Sequence, residues 1–493
     1  MRKIAILAIS CLLGMTAQSQ TLNVNVGNVT YAFPSSQTGD MVYENGNTLT
    51  ICGKAFPISE ITNMIVDQTE VNDNTVLVSY DNSMAKVVVA GNIAKYISAD
   101  VKGGHVALVA SPSLQQSVTY TLTGTSSNGS FYMSGEYACR VVLNGVSLNN
   151  PDSAAINIQD GKKIDIELAT GTSNSLSDGL TSVTDDGSDT HKAVFYVEGH
   201  SSWSGSGSLN IKGNVRHGFF SDEYTQFESN LGSVTVEQAK SDGFHVNQYF
   251  QMQGGTLNIT AVGDGIDVGA KKSDKENNGN LMLEGGNLTI VTSGDATRAL
   301  KCDNDLIVSG GTIDAKTLGN PVYDSSEVDL SSCAAAKCDG KFTMTAGTLR
   351  LTSTGEGGKG LNATGEVEVS GGDLVVVTTG ATYEYTSELD SKPHGVKSDA
   401  NITLSGGNVL VCASADGGTA FKTSVNVFTN GATMMGIGGK ATTGSASSTH
   451  NSKKYSNVKV TGGSTLSYDG VSFVIPDIYN NSSAKVIVSS AAM

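Results

Sequence analysis

The stretch FQMQGGTLNITAVGDGIDV at residues 250–268 decides the fold, because its plan returns along the chain. It alternates apolar and polar residues around a glycine pair and ends on a corner rich in glycine and aspartate. The same plan returns in LMLEGGNLTIVTSGD (281–295), LIVSGGTIDAKTLG (306–319), VEVSGGDLVVVTTGA (367–381) and ITLSGGNVLVCASADGG (402–418). A period of this size, 25 residues from Gly285 to Gly310, indicates stacked units of one supersecondary structure.

A second set of segments runs in phase with the glycine pairs. These are HGFFSD (217–222), DGFHVN (242–247), DGIDVG (264–269), RALKCD (298–303), KGLNAT (359–364), HGVKSD (394–399) and TAFKTS (419–424). Each period therefore offers three short strands with alternating side chains. We predict an all-β fold, a right-handed single-stranded parallel β-helix of about a dozen coils. An antiparallel β-sandwich would not explain one glycine pair returning in register.

The regions outside the repeat predict the domain boundaries. The basic start, the apolar run from Ile4 to Met15 and the small residues before Gln20 are typical of a signal peptide over 1–19, cleaved near Ser19. We predict a small β-rich module with lead-in strands over 20–115, the β-helix over 116–476, and a capping strand and tail over 477–493. The protein is then secreted or held at the cell surface, with the periplasm as a further location.

Charge and cysteine content limit the function classes. Removing residues 1–19 takes away Arg2 and Lys3, which leaves 29 basic and 47 acidic residues and a net charge of −18. This balance argues against a nucleic-acid partner, whose phosphates require a basic face. Of the six remaining cysteines, Cys333 and Cys338 share a loop and could pair, whereas the others are interpreted as small buried residues.

The chain resembles a bacterial family of secreted carbohydrate-binding β-helix proteins. The resemblance lies in VVLNGVSLNNPDSAAINIQDGKKIDIELATGTSNSLSDG (141–179), KAVFYVEGHSSWSGSGSLNIKGNVRHGFFSD (192–222) and the following GGTLNITAVGDGID coils, and it extends over 118–476. It implies a polysaccharide-lyase-like, pectate-lyase-like solenoid that binds acidic polysaccharide such as polygalacturonate, or cellulose, with calcium and without established catalysis. The chain departs from the family in its insertions at 271–279, 324–340 and 383–393, and HGFFSDEYTQFES (217–229) lacks a basic residue after the strand.

Four aspartates at glycine corners are candidate calcium ligands. Asp264 and Asp267 lie in GDGID, Asp242 occupies the equivalent corner one coil earlier, and Asp295 the later one. Calcium requires six to eight oxygen ligands, which stacked corners could supply. The alternative is that these aspartates cap turns through their carboxylates.

Lysines and aromatic residues are the candidate carbohydrate ligands. Lys301, Lys397 and Lys422 recur at one strand position and could face an acidic polysaccharide, although ion pairs with Asp303 and Asp399 are the alternative. The aromatic candidates for stacking on a sugar ring are Tyr383, Tyr385 and Trp203, although a lone tryptophan is more often a core residue. Phe219, Phe220 and Phe244 fall in strand patterns and are assigned to the core.

A non-catalytic polysaccharide-binding role is the function that we predict. The first alternative is a calcium-dependent polysaccharide lyase, for which Arg298 and Lys301 lie close in sequence to Asp295 and Asp303. Arginine is scarce, and the seven histidines are scattered without a recognisable ligand spacing. The second alternative is a structural or adhesive surface solenoid.

Overall fold

The computed structural model describes residues 20–38, 41–179, 192–272, 276–443 and 452–492. The predicted signal peptide therefore lies outside the described residues. Within these ranges the regular elements are β-strands and one short 3₁₀ helix, Gly91–Tyr96, so no helix there is long enough to cross a membrane. The all-β prediction is confirmed.

Ten strands precede the repeat. They are β1 (Thr21–Val26), β2 (Val29–Pro34), β3 (Val42–Glu44), β4 (Thr48–Ile51), β5 (Lys54–Pro57), β6 (Ile61–Asp67), β7 (Thr75–Asp81), β8 (Met84–Ala90), β9 (Ile97–Lys102) and β10 (Gly104–Ala110). Two of these strands already pair in parallel with strands of the coils. Strand β7 pairs with Thr119–Ser126, and β10 pairs with Gly129–Ser134.

The first coils contain strands of three to eleven residues. They are β11 (Thr119–Ser126), β12 (Gly129–Ser134), β13 (Cys139–Asn149), β14 (Ile156–Gln159), β15 (Ile164–Leu168), β16 (Ser173–Ser177), β17 (Ala193–Val197), β18 (Ser201–Ser204), β19 (Ser208–Gly213), β20 (His217–Ser221), β21 (Thr225–Phe227), β22 (Ser233–Ala239), β23 (Phe244–Asn247), β24 (Tyr249–Met252), β25 (Thr256–Ala261), β26 (Ile266–Gly269), β27 (Asn280–Leu283) and β28 (Asn287–Thr292).

The later coils carry two inserted hairpins, one over residues 322–331 and one over residues 383–391. Their strands are β29 (Arg298–Cys302), β30 (Leu306–Val308), β31 (Thr312–Thr317), β32 (Val322–Asp324), β33 (Asp329–Ser331), β34 (Ala334–Cys338), β35 (Phe342–Met344), β36 (Thr348–Ser353), β37 (Lys359–Ala363), β38 (Val367–Val369), β39 (Asp373–Thr378), β40 (Tyr383–Glu384), β41 (Asp390–Ser391), β42 (His394–Ser398), β43 (Ile402–Leu404), β44 (Asn408–Cys412), β45 (Thr419–Lys422), β46 (Val427–Thr429), β47 (Thr433–Gly438) and β48 (Lys440–Thr443). The chain closes with β49 (Ser452–Val460), β50 (Thr465–Tyr468), β51 (Val471–Val474) and β52 (Asn481–Ser489).

Each coil contributes one strand to each of three parallel ladders, as the sequence predicted. After β20, β21 and β22, strand β23 stacks on β20, β24 on β21 and β25 on β22. One ladder is a fourteen-stranded sheet, β9–β10–β12–β14–β17–β20–β23–β26–β29–β34–β37–β42–β45–β48, which we call the front sheet. Only β9 runs antiparallel to its neighbour, so thirteen of the described strands run parallel. At ~4.8 Å per coil, the stack is about 58 Å long.

Side chains of the coil strands alternate between the inside and the outside of the solenoid. Those that point inward are mostly apolar and form one continuous core. Trp203, assigned above as a possible sugar platform, is fully buried and packs against Phe195, Phe219 and Phe227. The structure thus supports the core alternative for Trp203, which occupies an inward position of β18. Phe219 and Phe244 are fully buried as predicted.

The six cysteines in the described part of the chain are free. Cys333 directly precedes the extended strand β34, and Cys338 is the last residue of that strand. At ~3.3 Å per residue, about 16 Å therefore separates them. A disulfide requires Cα atoms less than about 7 Å apart. The suggested Cys333–Cys338 bridge is therefore wrong, and both thiols lie buried, as do Cys139, Cys302 and Cys412.

The glycine pairs turn the chain where two coils come very close. In each pair the second glycine has a positive φ, for example +80° at Gly311. A Cβ there would also lie 2.9 Å from the Gly286 carbonyl oxygen of the coil below. The first position tolerates Ala346 in one coil, but the second position is glycine in every copy of the pair.

Replacing Gly311 with alanine is expected to lower the melting temperature measured by circular dichroism. The left-handed conformation costs an alanine roughly 1–2 kcal/mol, and the close carbonyl adds to this cost. Gly161→Ala is the matched control, because a Cβ at Gly161 meets nothing within 4 Å. Equal melting temperatures for the two variants would contradict the role assigned to the glycine pair.

Candidate functional site

The outer face of the front sheet carries one continuous column of side chains. Residues in register on successive strands form this central column: Tyr196, Phe220, His245, Asp267, Lys301, Lys337, Asn362, Lys397 and Lys422. The three lysines named from the sequence therefore do share one column. Lys337 was missed, although its sequence AAAKCD repeats the pattern of RALKCD around Lys301.

The ion pairs of these lysines differ from those anticipated. Lys397 does lie 3.7 Å from Asp399, but Lys301 turns away from Asp303 toward the preceding coil. Lys337 pairs with Asp339 at 3.1 Å. Within the described part of the chain, Lys422 has no ion-pair partner. The ladder of surface ion pairs is thus incomplete.

A group of buried and half-buried ionisable residues lies at the middle of the front sheet. This aspartate–histidine cluster comprises His217, Asp242, His245, Asp264, Asp267 and Lys301. Asp242 Oδ2 lies 3.0 Å from His245 Nδ1 and 3.2 Å from His217 Nδ1. Lys301 Nζ donates to Asp267 Oδ2 at 3.0 Å and lies 3.4 Å from Asp264 Oδ2. Three of the four predicted metal aspartates therefore come together here.

The cluster fixes the charges of its members. Burial disfavours the ionised form of Asp242, but hydrogen bonds with His217 and His245 outweigh it and lower its pKa. Burial likewise opposes the charged form of His245, yet the bonds with Asp242 and Asp267 raise its pKa to about 9. Burial raises the pKa of Asp264 to about 6. Near neutral pH the cluster therefore holds two cations, His245 and Lys301, beside three aspartates, of which Asp264 is the most readily protonated.

The same aspartates also tie successive coils together. Asp242 Oδ1 accepts the Asp264 backbone N–H at 2.8 Å, and Asp264 Oδ1 accepts the Arg298 N–H at 2.7 Å. This is capping, as the alternative interpretation held, but it acts between coils rather than within one turn. Asp295 is exposed at another corner, where Oδ1 accepts the Asn320 N–H at 2.8 Å, so the structure does not bring it to the cluster.

The two inserted hairpins carry the aromatic candidates. Tyr385 is 47% exposed, and its ring stacks on Tyr323 of the other hairpin with centroids 4.9 Å apart and planes at 3°. Tyr383 pairs with Ser391 across β40 and β41. Tyr323 was missed in the sequence because each hairpin interrupts a different coil, and only stacking brings them together.

A buried lysine joins the bases of these hairpins. Lys359 Nζ donates to the carbonyl oxygens of Gly357 (2.6 Å) and Lys392 (2.7 Å) and to Ser391 Oγ (2.8 Å). Ser391 Oγ lies 2.8 Å from Ser332 Oγ, next to the first hairpin. Burial, with a smaller effect of the nearby Lys397, lowers the pKa of Lys359 to about 7. The lysine thus connects both hairpins to β37.

Comparison with known proteins adds the family. The model of the family described as carbohydrate-binding domain-containing proteins matches residues 112–384 and 337–441, which together span 330 of the 493 residues. The chain belongs to this family. The matched region of this carbohydrate-binding domain contains the whole central column and both hairpins.

Two individual proteins are similar to parts of the chain. A carbohydrate-binding domain-containing protein of Acetivibrio thermocellus is 30% identical over 121 residues, which is 24% of this chain. The match spans 42% of that relative's length. A solved structure, of the polysaccharide lyase-like protein from C. thermocellum as a gadolinium derivative, is 21% identical with a TM-score of 0.41, covering 61% of this chain and 100% of that chain.

Replacing Lys359 with methionine is expected to loosen both hairpins of the carbohydrate-binding domain. Two carbonyls and a serine hydroxyl would lose a buried donor, each at a cost of about 1–3 kcal/mol. Hydrogen exchange of peptides covering 320–333 and 383–393 should become faster in both. Lys341→Met, which breaks the half-exposed pair with Glu368, is the control. Unchanged exchange in either hairpin would contradict the connection.

Proposed function

We propose that the domain binds an acidic polysaccharide along the central column of the front sheet and does not cleave it. The observation that carries the proposal is the alignment of Lys301, Lys337, Lys397 and Lys422. Lys337 lies directly beside Lys301, and Lys422 beside Lys397, on paired strands. Like charges placed opposite each other destabilise a sheet, which a row of ligand carboxylates would relieve.

The ion pairs of the column permit this exchange. The side chains of Lys337 and Lys397 are 28% and 32% exposed, and those of Asp339 and Asp399 are 47% and 59% exposed. Pairs of this kind contribute little to stability because water competes for both partners. Carboxylates of a bound polymer can therefore replace Asp339 and Asp399 at low cost.

The hairpins supply a second element of the proposed binding site. They lead into β34 and β42, the strands that carry Lys337 and Lys397. Tyr385, stacked on Tyr323, presents an exposed aromatic side chain to which a sugar ring could bind. This element would also serve for cellulose, the uncharged alternative ligand.

The protonation states support binding rather than lyase chemistry. A lyase base must accept a proton, but Asp267 and Asp264 outweigh the effect of burial and raise the pKa of Lys301. Arg298 donates to the Ala296 carbonyl at 2.6 Å and to Ser331 Oγ at 2.8 Å. Both cations named for the lyase alternative are thereby held in charged, hydrogen-bonded positions.

Calcium assistance stays a prediction. Calcium requires six to eight oxygens, whereas the carboxylates of Asp242 and Asp267 face His245 and that of Asp264 faces Lys301. This set of donors fits calcium poorly, so no step of the proposed binding depends on calcium.

The proposal also includes a right-handed solenoid and a secreted or surface location. The location rests on the signal-peptide pattern of residues 1–19.

The variant Lys397→Ala/Lys422→Ala is expected to weaken polygalacturonate binding, because it removes two of the column's four lysines. Binding is measured by affinity electrophoresis in gels that contain polygalacturonate, cellulose or xylan, each with calcium or EDTA. The control Lys212→Ala/Lys316→Ala makes the same charge change on β19 and β31, another face. Equal retardation of both variants, or no retardation of the wild type, would contradict the proposal. An unsaturated product absorbing in the ultraviolet would instead favour the lyase alternative.

Tyr385→Ala is expected to reduce the affinity for polygalacturonate or cellulose about fivefold, since an aromatic contact contributes about 1 kcal/mol. The same gels measure this loss. Tyr468→Ala is the matched control, because Tyr468 stacks on Tyr455 near the C-terminus with centroids 4.3 Å apart. If both variants bind like the wild type, the hairpins do not belong to the site.

A further inference from the structure

Two histidines of the aspartate–histidine cluster have a geometry that ion pairing alone does not explain. His217, Asp242 and His245 each offer one ligand atom, and these three atoms lie within 4.8 Å of one another. His217 belongs to β20 and His245 to β23, which stack as neighbours, and Asp242 lies just before β23. The coil repeat therefore brings three ligand atoms to one point.

Hydrogen bonding leaves His217 with conflicting partners. Its Nδ1 accepts the backbone N–H of Asp242 at 3.2 Å, which requires a lone pair on that nitrogen. The same Nδ1 lies 3.2 Å from Asp242 Oδ2, also an acceptor. A proton between Nδ1 and Oδ2 would satisfy the carboxylate but remove the acceptor that the backbone N–H uses, whereas a bound cation would attract both Nδ1 and Oδ2.

We propose that His217, Asp242 and His245 bind a divalent transition-metal ion of the zinc class. Zinc binds nitrogen and carboxylate oxygen at about 2.0–2.2 Å, which sets neighbouring ligand atoms of a tetrahedral site about 3.3–3.6 Å apart. The observed separations from Asp242 Oδ2, 3.2 and 3.0 Å, are slightly shorter, so a small outward shift of the side chains would admit the ion. Imidazole ligands favour zinc, copper or nickel over calcium, so this ion differs from the one that the aspartates alone predicted.

The surroundings suit such a site. The other oxygen of Asp242 accepts the Asp264 N–H, which holds Oδ2 toward the imidazoles. The ring of Phe220 stacks on His245 at 4.7 Å and lies 5.6 Å from His217, so one side is apolar. The side chain of His245 is 25% exposed, which leaves the outer side open to water or a sugar hydroxyl. Three protein ligands with an open position are typical of a zinc ion that contacts a ligand.

Metal content of the untagged, full-length secreted protein tests the proposal. After dialysis against zinc and then against metal-free buffer, the wild type should retain about one zinc per chain by elemental analysis. His217→Ala/His245→Ala should lose it, whereas His105→Ala, a front-sheet histidine bound to Ser130 and Asn128, should keep it. A folded wild type that retains no zinc, or that retains calcium under competition, would overturn the site.

A second variant guards against misfolding. His245→Phe keeps an aromatic ring in the column, where Phe220 already occupies the preceding coil. It should melt as a folded protein yet retain no zinc. Cobalt(II) bound to the wild type should give visible absorption bands that His245→Phe lacks. Full zinc retention by folded His245→Phe would also overturn the proposal.

Discussion

The parallel hydrogen bonding between coils is the constraint on which the rest of the structure depends. Every strand of a coil pairs with the equivalent strand of the next, so a residue at one position always lies above the residue at that position one coil earlier. Side chains therefore act as columns. An inward column must be apolar throughout, and an outward column can repeat one chemistry over many coils.

The fold was largely predictable because this constraint leaves a period in the sequence. The glycine pairs mark the corner where φ becomes positive, as at Gly311, and the three strands per period follow from the spacing of apolar residues. The common column of Lys301, Lys397 and Lys422 followed for the same reason. Handedness has no such signal in the spacing.

The candidate site was only partly predictable, because insertions hide the register. The histidines have no recognisable ligand spacing in the sequence, because contacts between coils join residues about one period apart. His217 and His245 are 28 residues apart and lie on neighbouring coils. Whether the Trp203 side chain faces the core or the surface was not predictable, because the apolar–polar alternation of SSWSGSG is too weak. Tyr323 and Tyr385 meet through two insertions whose lengths no repeat fixes.

The strands that close the solenoid determine whether molecules can join end to end. The last coil's β47 pairs antiparallel with β52, and β9 lies antiparallel on β10 at the start of the front sheet. A bare parallel edge at either place would offer another molecule the same hydrogen bonds that one coil offers the next. Reversed strands break that template. Neither of these two edges can therefore continue its parallel ladder into another molecule.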